Sequence, residues 1–238
     1  FQLQASDNRV EVSLDPQAAP TSWHIPSRAL TMQTFHWTWQ VAGLEPGLYR
    51  DGTLALHVAN GALVYGIAAA LVPGVAAAAW AAGIFLLHPL NSEAVLYVTA
   101  RADVLATFWI LLAVWLALGP PRLWRWVLIG AALVAAGLSK EIGLVGVPLV
   151  VLTLLVCRPG VAAGPLVAPL WIGLGVVIGA MWPFLREWLT LNPLVGGTAL
   201  SWPTVAAVQL TALWHLLALL VWPDGFSIDH DMLGLSPA

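Results

Sequence analysis

Lys140 stands between Ser139 and Glu141, with Leu138 and Ile142 outside them, so a cation and a carboxylate are set into an otherwise apolar stretch. Two arrangements suit it equally: a tight turn exposing both charges, or an ammonium aimed at an anionic headgroup, as lysines meet phosphates. A denser polar cluster lies upstream, His88-Pro89-Leu90-Asn91-Ser92-Glu93-Ala94-Val95, then Tyr97, then Arg101-Ala102-Asp103. A short interfacial helix over 91–101 aligns Glu93, Tyr97 and Arg101 along one face, because residues four apart on a helix are neighbours. Asp103 then opens the following span at its positive N-terminal end. The bland alternative is a solvated loop with a capping aspartate and a surface ion pair. An ionisable group within a bilayer costs roughly 2.5–3.5 kcal/mol on insertion scales and usually faces protein or water, which favours a functional site.

The remaining polar candidates are weaker. His57 and Asn60 share a face of the first apolar stretch at i, i+3. His36 and His215 stand singly, and a lone histidine is more often a hydrogen-bonded packing residue than a ligand. Asp229-His230-Asp231 has metal-ligating residue types, but three adjacent side chains rarely converge on one ion. It reads as a polar loop cap, and no metal site is assigned. Cys157 is the only cysteine, which excludes an internal disulfide and a cysteine-based metal cluster. Gly-rich nucleotide loops, G-x-S-x-G elbows and H-E-x-x-H motifs are missing. With a formal net charge of -3 and no basic block, nucleic acid is not an expected partner.

Membrane helices must position these residues. The 238 residues are 60% hydrophobic and 9% charged, with a mean hydropathy of +0.84. Soluble domains carry about 25% charged residues, so this chain cannot coat a water-facing globule of its size. Apolar stretches recur at about 53–72, 75–87, 103–118, 124–139, 142–157, 164–184 and 204–222, against about 20 residues needed to cross a bilayer. The pattern predicts an all-α, polytopic transmembrane bundle of about seven hydrophobic helices over 51–238. An external segment and an interfacial helix precede it over 1–50. Pro16, Pro20 and Pro26 keep residues 1–27 in short turns. Residues 28–42 mix Leu30, Phe35, Trp37, Trp39 and Val41 with polar side chains, as an interfacial helix does.

Breaks fall at Pro73-Gly74, His88-Pro89, Gly119-Pro120-Pro121-Arg122, Ser139-Lys140-Glu141 and Arg158-Pro159-Gly160, and each must lie at the interface or inside protein. Alternation of the spans puts Arg122, Arg125 and Arg158 on one common side, which the positive-inside rule makes cytoplasmic. His88–Arg101 and the N-terminal segment then lie outside, as does Lys140 against the rule. Phe1 is neither an initiator Met nor part of a basic leader, so a cleaved signal or a first membrane helix is expected upstream.

Order and spacing together carry a resemblance. The run His88-Pro89-Leu90-Asn91-Ser92-Glu93-Ala94-Val95, then Arg101-Ala102-Asp103, then Lys140-Glu141 resembles the membrane module of the transmembrane and TPR-containing protein O-mannosyltransferases and their bacterial relatives. These are polytopic glycosyltransferases of the GT-C class, whose motifs read H-P-x-x-[ST]-E-A-V, G-R-[AS]-D and K-E. His57-x-x-Asn60 resembles the family's H-x-x-N, and Arg28-Ala29-Leu30-Thr31 its R-P-L-T without the proline. Pro223 with Phe226-Ser227-Ile228-Asp229-His230-Asp231 is similar to its P-x-x-L-S-x-D-H-D. Asp7-Asn8-Arg9, Val12 and Asp15-Pro16 stand where the family has D-D-R, a hydrophobic residue and N-P, with Asn8 replacing the second acid.

The resemblance implies transfer of a sugar from a polyprenyl-phosphate donor to a hydroxyl of a protein or glycan acceptor on the outer face. Asp7 is then the general base, and Glu93 and Asp103 shape the acceptor side of the catalytic centre. Arg101 and Lys140 meet the donor phosphate, where cations stabilise the departing charge; His57, Asn60, His88 and Glu141 support them. No cofactor beyond the lipid-linked donor is implied. Expected partners are membrane lipid, donor, acceptor and further membrane subunits, in a bacterial inner membrane with the N-terminal segment in the periplasm. A second reading keeps the same bundle as a non-catalytic structural subunit of a larger membrane complex, since function lives in the site and not the scaffold.

Overall fold

The computed structural model describes residues 28–43, 45–162 and 202–222, the isolated residues 175 and 179, and the backbones of four short strands. β1 (Gln2–Ser6) pairs antiparallel with β2 (Arg9–Ser13), and β3 (Leu194–Val195) with β4 (Thr198–Ala199). Apart from these hairpins the body is all-helical, the class expected from the sequence.

Proline and glycine set most helix boundaries. α1 (Ala29–Ala42) ends at Gly43, which takes a positive φ of 57. Pro46 opens α2 (Pro46–Leu71) where a missing N–H costs nothing. Val72 is extended, as the residue before Pro73 must be, and Gly74 at φ 116 turns the chain into α3 (Val75–Leu87). His88, extended before Pro89, closes α3. A 3-10 turn (Pro89–Asn91), the one-turn α4 (Ser92–Leu96) and a second 3-10 turn (Val98–Ala100) lead into α5 (Arg101–Leu118). Gly119-Pro120-Pro121 separates α5 from α6 (Leu123–Ser139). Lys140 is extended before a 3-10 turn (Glu141–Val145), followed by α7 (Gly146–Cys157), α8 (Pro159–Ala162) and α9 (Trp202–Val221).

Two of these segments, Pro46–Leu71 and Val98–Leu118, are long and apolar enough to cross a membrane. The α3–α4 pair, bent by 48°, makes a third if taken as one broken span. Among the described residues this is fewer than the expected bundle of about seven hydrophobic helices would supply, and length is the reason. α6 is apolar but has 17 residues, or about 25 Å at 1.5 Å per residue, short of the ~30 Å hydrocarbon core. Glu141–Cys157 and Leu210–Val221 are shorter apolar helices of the same kind, and the 164–184 stretch lies outside the described residues apart from 175 and 179. The expected 75–87 is α3 to the residue, whereas the first stretch, expected from about 53, starts seven residues earlier because Pro46 opens the helix.

The core lies between α5, α6 and α7. Ala113, Leu116 and Ala117 meet Ile129, Ala132 and Leu133 on one side and Val147, Val150, Val151 and Leu154 on the other. Alanine and glycine let the backbones approach, which is how helices associate when lipid is as apolar as their own side chains. Trp80, Val127, Val134, Val156 and Leu217 remain on the outside. Such an apolar exterior is what a bilayer tolerates and water does not.

Candidate functional site

Arg101, Asp103, Lys140 and Glu141 make their contacts at one end of the bundle, around the starts of α1, α2 and α5 and the end of α6. Arg101 is the most enclosed. It is 2% exposed, and its Nη2 donates to the Tyr49 carbonyl at 2.6 Å, Nη1 to Thr38 Oγ1 at 3.0 Å and Nε to Thr53 Oγ1 at 3.3 Å. Its guanidinium also lies over the rings of Phe35 and Tyr49, 4.6 and 5.6 Å from their centroids. One side chain of α5 thereby ties α1 and α2 together.

Asp103 is two residues further along α5, about 200° around the helix at 3.6 residues per turn. It faces the other way, towards the α6–α7 turn. Both its oxygens accept from Lys140 Nζ, at 2.6 and 2.7 Å, and the pair is partly open, with side-chain exposures of 39% and 28%. Glu141 follows directly and lies 3.6 Å from Arg28 at the start of α1. Thr31 Oγ1, donating to the buried Ser139 carbonyl at 2.7 Å, holds α1 against the end of α6. Gly143 makes this turn possible: a Cβ there would lie 2.1 Å from the Ala136 carbonyl oxygen.

The supporting residues hold the scaffold. His57, 6% exposed, pairs its Nε2 with the Leu86 carbonyl at 3.2 Å and stacks on Phe85. Asn60 Nδ2 donates to the Val104 carbonyl at 3.0 Å. His88 Nε2 lies 3.0 Å from the Leu220 carbonyl, and its Nδ1 accepts from the Leu90 N–H, capping the turn that follows. Asn91 Nδ2 donates back to the Phe85 carbonyl at 2.6 Å. Among the described residues these histidines and asparagines thus link helices α2, α3, α5 and α9, and no group of acids, histidines and cysteines could hold a metal.

One expected alignment does not hold. Glu93, Tyr97 and Arg101 do not share a helix face, because the chain becomes extended at Tyr97 (ψ 115) and splits 91–101 into separate turns. Glu93 and Tyr97 are exposed on that connection, whereas Arg101 is buried below it. Asp103 does sit in the first turn of α5, as expected. Asp7 and the Asp229-His230-Asp231 triplet lie outside the described residues.

Sequence reasoning passed over the partners of Arg101. Tyr49, Thr53, His57 and Asn60 recur at i, i+4, i+8 and i+11, a polar stripe along an otherwise apolar helix, and Thr31, Thr34 and Thr38 form a second one on α1. Polar stripes at helical period inside a membrane bundle mark faces that meet polar partners. The far end of α5 is different in kind: Arg125 donates to the Leu116 carbonyl and Arg158 to that of Leu118, beside a cleft lined by Leu116, Gly119, Pro120, Arg125 and Trp126. Comparison of the chain with protein-family models, with curated proteins and with solved structures finds no match.

Proposed function

We propose that the chain is a GT-C-like membrane glycosyltransferase module, passing a sugar from a polyprenyl-phosphate donor to an acceptor hydroxyl at the end of the bundle that carries its carboxylates. The observation supporting this is the partly open Lys140–Asp103 pair, held where the apolar helix α5 begins and the apolar helix α6 ends. An ammonium has three donors; two meet Asp103, and the third is left to a phosphate oxygen. Asp103 fixes the cation, and exposed Glu93 lies on the same end as the carboxylate available to an acceptor hydroxyl. In this reading the carboxylate end faces the periplasm and the arginine end the cytoplasm of a bacterial inner membrane. Arg101 then acts as a positioning residue, since it is 2% exposed and three of its five donors meet Thr38, Thr53 and Tyr49.

That last fact also favours the second reading, a structural subunit of a larger membrane complex, because His57, Asn60, His88 and Arg101 all serve internal contacts. The two separate by experiment. Purified protein in lipid nanodiscs should transfer radiolabelled mannose from polyprenyl-phosphate mannose to a peptide hydroxyl, and Lys140→Gln should abolish it. Absence of transfer from any polyprenyl-phosphate sugar leaves the scaffold reading standing.

A further inference from the structure

The far end of the bundle carries an unusual charge balance. Glu45, Asp51, Glu93, Asp103 and Glu141 are the carboxylates of residues 28–162 and 202–222, and all belong to the opposite end, on the turns and first helical turns around Tyr49, Arg101 and Lys140. Arg122, Arg125 and Arg158 gather around the C-terminus of α5 with no carboxylate among the described residues to meet them. Two of the three also crowd the start of α6: Arg122 is its N-cap and Arg125 lies in its first turn, which holds no acidic side chain. Arg125 and Arg158 reach the last carbonyls of α5, at the negative end of its dipole, while Arg122 stands at the positive end of α6, whose first backbone N–H groups suit an anion. Arg125 Nε is buried and has no hydrogen-bond partner, while its guanidinium stacks over Trp124 at 5.3 Å. A small cleft opens there, between Gly119-Pro120-Pro121 and Trp126. From this end an apolar stripe runs down the outside of α6, with Leu123, Val127 and Val134 exposed at 77%, 63% and 63%. Their spacing of i, i+4 and i+11 puts them within about 40° of each other around the helix.

From these features together we infer that the α5–α6 turn is a binding site for an anionic phospholipid. The headgroup phosphate sits among Arg122, Arg125 and the first N–H groups of α6, with Arg158 adjacent, and an acyl chain follows Leu123, Val127 and Val134. The phosphate supplies the negative charge that the described residues do not place at this end, and the apolar stripe distinguishes a lipid from a free ion. Basic pockets between membrane helices recognise lipid headgroups on this principle. The site is independent of sugar transfer, which would take place at the opposite end.

The test is lipid retention by the purified full chain in non-ionic detergent, read by native mass spectrometry with dioleoyl phosphatidylglycerol and dioleoyl phosphatidylcholine in competition. Wild type should keep the anionic lipid preferentially. Arg122→Gln, an exposed position whose loss leaves the core intact, should weaken retention about fivefold, the factor that corresponds to about 1 kcal/mol per basic residue. Arg122→Gln with Arg125→Gln should weaken it about 25-fold by the same factor. Arg50→Gln, at an exposed arginine of the opposite end, should leave it unchanged, and millimolar inorganic phosphate should not displace the lipid. Equal retention of the two lipids, wild-type retention by the double variant at unchanged melting temperature, or an equal loss in Arg50→Gln would each overturn the inference. Displacement by inorganic phosphate would overturn it too, by showing a site for the free ion.

Discussion

Arg101 and Lys140 carry the same charge at the same end of the bundle, yet their surroundings divide their roles. A guanidinium enclosed by two hydroxyls, a carbonyl and two aromatic faces is part of the packing. Arg101→Ala leaves those acceptors unsatisfied and should lower unfolding stability by about 2–4 kcal/mol, measured by thermal denaturation in detergent. Arg101→Lys should recover little of it, because an ammonium lacks the planar fork that reaches three acceptors at once. Lys140 behaves oppositely. Its pair with Asp103 is more than a quarter exposed on both sides, so Lys140→Gln should cost under about 1 kcal/mol while reducing sugar transfer about 100-fold or more. The sequence made both residues conspicuous, as charges in an apolar chain, but it did not separate them. What does so is the 200° between Arg101 and Asp103, together with a polar stripe on α2 that places Tyr49 and Thr53 beneath the arginine. That stripe was legible; its partner was not, because 48 residues separate Thr53 from Arg101.

Helix boundaries were legible wherever proline or glycine dictated them, since a missing N–H, a forced extended residue or a positive φ leaves few choices. The break at Tyr97 was not, because neither residue type marks it. An expectation of one face over 91–101 needs an unbroken helix, and the chain instead bends there to bring α3 and α5 alongside α2. The Lys140 turn shows the tightest constraint at this scale. Gly143→Ala would drive a methyl carbon to 2.1 Å from a backbone oxygen, so the α6–α7 turn must open, and a loss above about 3 kcal/mol is expected from such overpacking. Gly130→Ala on α6 has open space around it and should raise stability by about 0.5–1 kcal/mol through helix propensity. A melting series containing both variants checks the contrast, and similar shifts in the two would show that the turn is not closely packed.

Among the described residues the molecule separates its charges along the bundle axis: the carboxylates with Arg28, Arg50, Arg101 and Lys140 at one end, and Arg122, Arg125 and Arg158 at the other. Alternation of apolar stretches along the chain already implies this segregation of the three arginines from residues 88–101. Fewer helices among the described residues reach spanning length than the apolar stretches suggest, because hydropathy alone does not reveal that α6 stops at 17 residues. With the exposed Cys157 replaced by serine, Ser92→Cys and Pro121→Cys should react with a membrane-impermeant maleimide from opposite sides of sealed vesicles, Ser92→Cys from outside. Labelling of both from one side would place the two ends on the same face and refute the arrangement. The claim on which the function rests is that Lys140 receives a lipid-borne phosphate. Binding of polyprenyl phosphate and of uncharged polyprenol to the purified protein tests it most directly. The phosphate form should bind at least tenfold more tightly, and Lys140→Gln should erase the difference; equal binding of the two lipids, or a preference that survives Lys140→Gln, contradicts the account.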